Sequence, residues 1–423
     1  MSDIRPFRGM RPLPERAAEI AAPPYDVVDY DEARAYVADR PHSFLRVEKS
    51  EIELDRSVDP HDTKVFENGA KNLRALLDSG LMIRDPEPCF YLYQQKMRTV
   101  GGAGGQQERE HVQVGVVAGA SVDEYQRDLI KKHEHTRADK EEERTRHVDI
   151  VGANTGPVFL TYHARAEIDA FVDQVRGRTP DVDFVSEDGI GHTLWVVSTA
   201  AQVARLRELF TAVPHLYVAD GHHRSAAASR VQRKRREQNP AHTGEEPYNH
   251  FLTVIFPHDQ MKIMEYNRVV LDLNGHSPAV LLQKIGERFD VGPASVASPE
   301  GPTRFGMYLE GTWHRLTARP GTFPAGDPVD SLDVAILQNN LLGPILGIGD
   351  PRTDRRIQFV GGIRGTAELE RRASKHGGVA FALFPTSIEQ LMAIADAGKV
   401  MPPKSTWFEP KLRSGMIVRS IND

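Results

Sequence analysis

The residues best equipped for chemistry stand together at Asp220-Gly221-His222-His223-Arg224, between the apolar run Leu216–Ala219 and the alanine-rich stretch that opens at Ser225. The carboxylate can face a hard cation or accept a proton. Two imidazoles can ligate a metal or shuttle protons, and the guanidinium can clasp a phosphate or carboxylate with two parallel hydrogen bonds. Five consecutive polar or glycine residues between two apolar elements are more than a solvated turn requires. The flanking pattern predicts a short strand, a glycine turn and a helix beginning at Ser225. The start of such a helix presents unpaired N–H groups and positive dipole, so the expected product of this stretch is an anion seat.

A second concentration lies upstream at His133-Glu134-His135-Thr136, where a carboxylate flanked by two imidazoles can serve as a base or join a metal site. The charges that follow, Asp139 to Arg144, read as a solvated helical face. Near the end of the chain, Lys404, Ser405 and Thr406 supply an ammonium and two hydroxyls that can hold phosphate oxygens, or pack with Trp407 and Phe408. Tyr25 and Asp26, on a proline-stiffened arm, can reach a cleft from outside the central region or serve only as a turn. Gly101-Gly102-Ala103-Gly104-Gly105 lacks the lysine and hydroxyl of a phosphate-binding loop and is expected to be a hairpin tip. A zinc hydrolase built on His133, His222, His223 and Asp220 is an alternative. Adjacent histidines seldom converge on one ion, however, and no His-Glu-x-x-His spacing occurs.

The elements that must position these groups alternate between strand and helix patterns, which predicts a mixed α/β fold. Helices are expected at Tyr30 to Ala38, Asp62 to Gly80, Glu167 to Val175 and Ala200 to Phe210. Strands are expected at Cys89 to Met97, His111 to Ala120, Val158 to Leu160, Thr193 to Val197 and Phe251 to Phe256. The C-terminal third repeats a β-α-β-α order that suits a small parallel or mixed sheet. At 423 residues the chain exceeds one ordinary core. We expect an N-terminal arm and α/β region over 1–120, a central domain over 121–240 and a C-terminal α/β domain over 241–423.

Composition excludes several classes. With 53 Lys and Arg against 59 Asp and Glu, the formal charge is −6, and a protein that coats nucleic acid is not expected. A single cysteine, Cys89, rules out an intrachain disulfide and suits a reducing cytoplasm. The N-terminus has no apolar signal core, and no run reaches the ~18 apolar residues of a membrane span. The cytoplasm is the expected compartment, and association of copies stays open.

The stretch Ala219-Asp220-Gly221-His222-His223-Arg224 resembles the signature of domain-of-unknown-function family 1015. Ala22-Pro23-Pro24-Tyr25-Asp26-Val27, Lys132-His133-Glu134-His135-Thr136 and the segment from Met401 to Lys411 resemble that family in the same order, over nearly the whole chain. The pair His133-Glu134 followed by Asp220-Gly221-His222-His223-Arg224 is also similar to the free-serine kinases of the ParB/sulfiredoxin-like fold. That likeness implies a ParB-like central domain and phosphorylation of L-serine, or a similar hydroxy amino acid, from ATP or ADP with Mg2+. It also implies Glu134 as the base. Asp220 and His223 would join it in catalysis, with Asp220 facing the metal. His133, Gly221, His222 and Arg224, with Lys404, Ser405 and Thr406, would hold phosphate or substrate. A ParB-like nucleotide-binding regulator without kinase activity is the alternative from another class.

Overall fold

Runs of β-branched and aromatic residues with short polar breaks form strands wherever both faces can be covered, and the first half of the chain is rich in them. The computed structural model describes residues 2–99 and 109–422. The glycine-rich 101–105 stretch, expected at a hairpin tip, lies outside them. The chain is a mixed α/β protein that divides into two units, the first comprising Met1–Thr99, Glu110–Met261 and Pro410–Asp423, the second Lys262–Glu409.

In the first unit nine strands share one sheet: β1 Ile4–Arg5, β2 Phe90–Thr99, β3 Arg109–Ser121, β4 Ile130–Lys131, β5 Val158–Tyr162, β6 Val182–Val185, β7 Gly191–Val197, β8 Leu216–Asp220 and β9 His250–Pro257. Their order is β4-β8-β5-β9-β3-β2-β7-β6, with β1 against the end of β3. β5 is buried at every position and is interior to the sheet, with β8 paired antiparallel on one side and β9 parallel on the other. Val116, Ala118, Leu160, Val218 and Ile255 form part of the core on this sheet. The segments 1–120 and 121–240, expected to be separate, thus contribute strands to the same sheet, and the chain after Pro410 returns to this unit, where Arg419–Ser420 pairs with Ala153–Asn154.

Helix α1, Thr63–Asp78, is capped by Asp62, whose side chain accepts the Lys64 N–H at 3.0 Å, and Gly80 at φ 73° follows its end. Helices α2, Ala138–Val151, and α3, His222–Gln238, pack on each other. Asp149 on α2 ties them by receiving Lys234 at 2.6 Å and Arg235 at 2.8 Å. α3 begins at His222 rather than at Ser225. Gly221, at φ 93°, completes the turn in one residue, a conformation in which any side chain would be strained, so the next residue is already helical.

The second unit carries a six-stranded sheet in which every pairing is antiparallel, in place of the parallel or mixed sheet expected. For one of these pairings the reason is local. Arg304–Leu309 and Thr312–Ala318 are joined through Glu310 at φ 46° and Gly311 at φ 79°, a tight hairpin that can only connect antiparallel strands.

Candidate functional site

The end of β8 and the start of α3 place the Asp220–Arg224 residues at one point. The pairing of β8 with β5 shifts register between Val218 and Asp220, an irregularity that re-aims the side chain at the strand's end. Asp220 accepts the Gly221 N–H at 2.8 Å through one oxygen and the Lys411 ammonium at 2.8 Å through the other. Burial works against its charge, yet Lys411, with help from His222 and Arg224, holds the carboxyl down to about 2. Asp220 is thus an ionised carboxylate with a fixed cationic partner 191 residues away in the chain.

α3 has 17 residues, and its N-terminus receives no side-chain cap. The Arg224 and Ser225 N–H groups donate to the Gly221 carbonyl at 2.9 and 3.1 Å, so the N–H groups of His222 and His223, with the helix dipole, face an acceptor from outside. Gly221 packs directly on β5, where a Cβ would lie 3.3 Å from the Val158 Cα.

His133 and Glu134 follow β4 after Lys132, and the pairing of β4 with β8 carries them to the start of α3. The His133 and His222 rings meet edge to face at 4.5 Å between centroids. His222 Nδ1 lies 3.8 Å from a Glu134 carboxylate oxygen. His133, Glu134 and His222 can each offer one ligand atom such that all three lie within 4.8 Å of one another. Burial is the leading cause that lowers the His133 pKa to about 4, against Asp220 and the Val218 carbonyl, which favour its charge. His222 is pushed well below the usual range by burial and by His133. Both rings are therefore neutral near pH 7. Among the described residues, neither nitrogen of His133 nor Nε2 of His222 has a hydrogen-bond partner.

His223 points elsewhere, with Nε2 accepting the Arg137 N–H at 3.1 Å. Arg224 is engaged from within: Nη1 donates to the Pro157 carbonyl at 3.1 Å, and Gly156 lies so close that a Cβ there would come within 2.7 Å of the guanidinium carbon. Tyr25 lies under two guanidinium groups, 4.0 Å from Arg144 and 5.2 Å from Arg224. Between those arginines sits Glu48, 3.6 Å from Arg144 and 3.9 Å from Arg224, beside a cavity of about 20 Å³. Lys404, Ser405 and Thr406 belong to the second unit. There Ser405 is buried and donates to the Pro402 carbonyl at 2.6 Å, and the Lys404 ammonium stands 5.6 Å from the Tyr266 ring.

Three contributors escape a reading of sequence alone. Lys411 sits in a stretch rich in prolines and aromatics whose nearer hydroxyls draw attention first. Glu48 lies in no polar motif. Arg144 belongs to the run expected to be a solvated face, yet it is buried, because α2 turns that position toward Glu48 and Tyr25.

A mixed α/β protein with paired imidazoles and a carboxylate at an uncapped helix start is the class that fold and site define. The chain belongs to the family described as "Protein of unknown function (DUF1015)", whose model matches residues 4–335. No curated protein matches it. Solved structures similar to it include a mutant free serine kinase in complex with AMP, at 15% identity and a TM-score of 0.35, covering 70% of this chain and 87% of that one. A conserved hypothetical protein from Pyrococcus furiosus is 14% identical with a TM-score of 0.35, covering 72% and 95%. SbnI from Staphylococcus aureus, with a C-terminal truncation, is 13% identical with a TM-score of 0.38, covering 70% and 85%. Likeness this low decides nothing about what this chain binds. Among the described residues, no helix is long and apolar enough to cross a membrane.

Proposed function

We propose that this protein is a small-molecule kinase that phosphorylates free L-serine or a similar hydroxy amino acid, with ATP or ADP as donor. The observation that carries the reading is the position of Glu134. Its carboxylate is exposed and stands 3.8 Å from His222, on the first turn of a 17-residue helix with no side-chain cap. A base is thereby set beside an anion seat, which is the pairing that transfer of a phosphoryl group to a hydroxyl requires. The resemblance of His133-Glu134 and Asp220–Arg224 to the free-serine kinases supports the substrate class.

In this reading Glu134 takes the proton of the substrate hydroxyl as its oxygen attacks the terminal phosphorus of the nucleotide, and the shortened nucleotide leaves. The N–H groups of His222 and His223 at the start of α3 receive phosphate oxygens, and His222, His223 and Arg224 line and hold that turn. Asp220 offers what magnesium prefers, an ionised oxygen donor, and with Lys411 and Gly221 already on it, contact through water fits best. Magnesium, when bound through phosphates, spreads the charge of the transferring group.

The test is a transfer assay with magnesium, ATP or ADP and a panel of hydroxy amino acids, read by mass spectrometry. Phosphoserine is expected, falling about 10²–10⁴-fold in Glu134→Gln. Measurable nucleotide affinity without product from any donor would overturn the kinase reading and favour a nucleotide-binding regulator.

A further inference from the structure

We propose that His133, Glu134 and His222 form a binding site for one divalent transition cation of the zinc class, separate from any magnesium that accompanies a nucleotide. The inference does not rest on the kinase reading.

The geometry carries it. Two imidazoles and one carboxylate bring a ligand atom each to within 4.8 Å of the others, a separation that rotation of the exposed Glu134 side chain can narrow toward the ~3.4 Å between donors on a tetrahedral ion. The His133 and His222 side chains are almost fully buried, at 2% and 5% exposure. A buried polar atom is normally hydrogen-bonded, and one left alone calls for an explanation. Here three ring nitrogens, both of His133 and Nε2 of His222, are without partners among the described residues. A cation bound to one nitrogen of each ring would account for the two imidazoles being held edge to face at 4.5 Å. Glu134, 42% exposed, supplies the negative charge and marks the side from which an ion enters.

The donor set also selects the ion. Two nitrogens and one oxygen suit zinc, cobalt or nickel, whereas magnesium prefers oxygen and holds its waters. Three protein ligands leave a further coordination position open. His223 is not part of the set, since its Nε2 already accepts the Arg137 N–H, and Asp220 is taken by Lys411. Adjacent histidines therefore do not share the ion: one comes from the start of α3 and the other from the segment after β4. An ion in this position would engage the carboxylate that phosphoryl transfer needs as a base. Zinc is accordingly expected to antagonise any chemistry that depends on Glu134.

The experiment is a titration of the full chain, freed of metal by chelator, with Co2+ alone and no nucleotide present. One equivalent is expected to bind with the visible absorption of a nitrogen-ligated cobalt centre. Zn2+ should displace it, and excess Mg2+ should not. His222→Ala should abolish the absorption, and Glu134→Gln should weaken binding by about tenfold or more. Because Glu134 is exposed, its variant keeps the test decisive if His222→Ala fails to fold. No stoichiometric uptake by the unaltered protein, or uptake unchanged in Glu134→Gln, would overturn the proposal. Neither result depends on whether phosphate is transferred.

Discussion

Replacing Glu48 by glutamine removes one negative charge from between two guanidinium groups. The Glu48 side chain is 1% exposed and lies 3.6 Å from Arg144 and 3.9 Å from Arg224. At an effective dielectric constant of about 20, each contact is worth roughly 4 kcal/mol, or about 9 kcal/mol gross for the two. Taking the carboxylate out of water costs several kcal/mol, so the loss expected on breaking the arrangement is about 3–5 kcal/mol. At about 2–4 °C per kcal/mol, the first unit should melt some 6–20 °C lower, as measured by scanning calorimetry. The pH dependence follows from the direction of the Glu48 shift. Burial raises its pKa, but Arg224, His147 and Arg144 outweigh burial and leave it lowered. A lowered carboxyl contributes stability that is complete above its unfolded value and lost as pH falls through the folded one. The gap between native and variant should therefore hold at neutral pH and close below about pH 4.5. Adding Arg144→Met to the variant should restore part of the loss, because one of the two stranded charges is then gone. A melting temperature within about a degree of the native protein at pH 7, or a gap that persists unchanged into acid, refutes this account of the cluster.

Further outcomes follow from neighbouring features. Lys411→Met should raise the Asp220 carboxyl from about 2 toward or above the ordinary range, read by carbon NMR titration, since burial then acts unopposed by its nearest cation. With Asp220 38% and Lys411 21% exposed, the stability cost should be only ~1 kcal/mol, and the pair's contribution is lost as pH falls toward 2. Gly221→Ala should cost about 1–2 kcal/mol for its left-handed backbone, plus the contact at 3.3 Å from Val158. Gly244→Ala, at φ 94° with nothing within 4 Å, isolates the backbone part, so equal losses in urea unfolding would remove the close approach from the explanation. His147 is held neutral, with burial first and Arg144 next lowering its pKa to about 4. The unfolded chain takes up that proton at higher pH, so stability should fall by about 2–3 kcal/mol between pH 6.5 and 4. His147→Gln should flatten that slope, and an unaltered slope would assign it to other groups.

Local pattern determined much of this protein. The apolar run Leu216–Ala219, the turn at Asp220-Gly221 and the alanine-rich run after them specify strand, turn and helix by neighbouring residues alone. The same holds for α1, with Asp62 before it and Gly80 after it, and for the mixed α/β class. Even there, the helix start depended on one backbone angle, the 93° φ of Gly221, which moved His222, His223 and Arg224 from the turn onto the first helical turn. Glu134 could be named from its histidine neighbours, but only the pairing of β4 with β8 brings it to 3.8 Å from His222. Lys411 on Asp220, and Glu48 between Arg144 and Arg224, join positions 191, 96 and 176 residues apart. No periodicity records such contacts, because they depend on which faces the sheet and the returning C-terminal segment cover. Arg144 shows the limit most plainly: its sequence context is a solvated run of charge, and burial against Glu48 and Tyr25 is decided by packing, which acts between elements rather than along them.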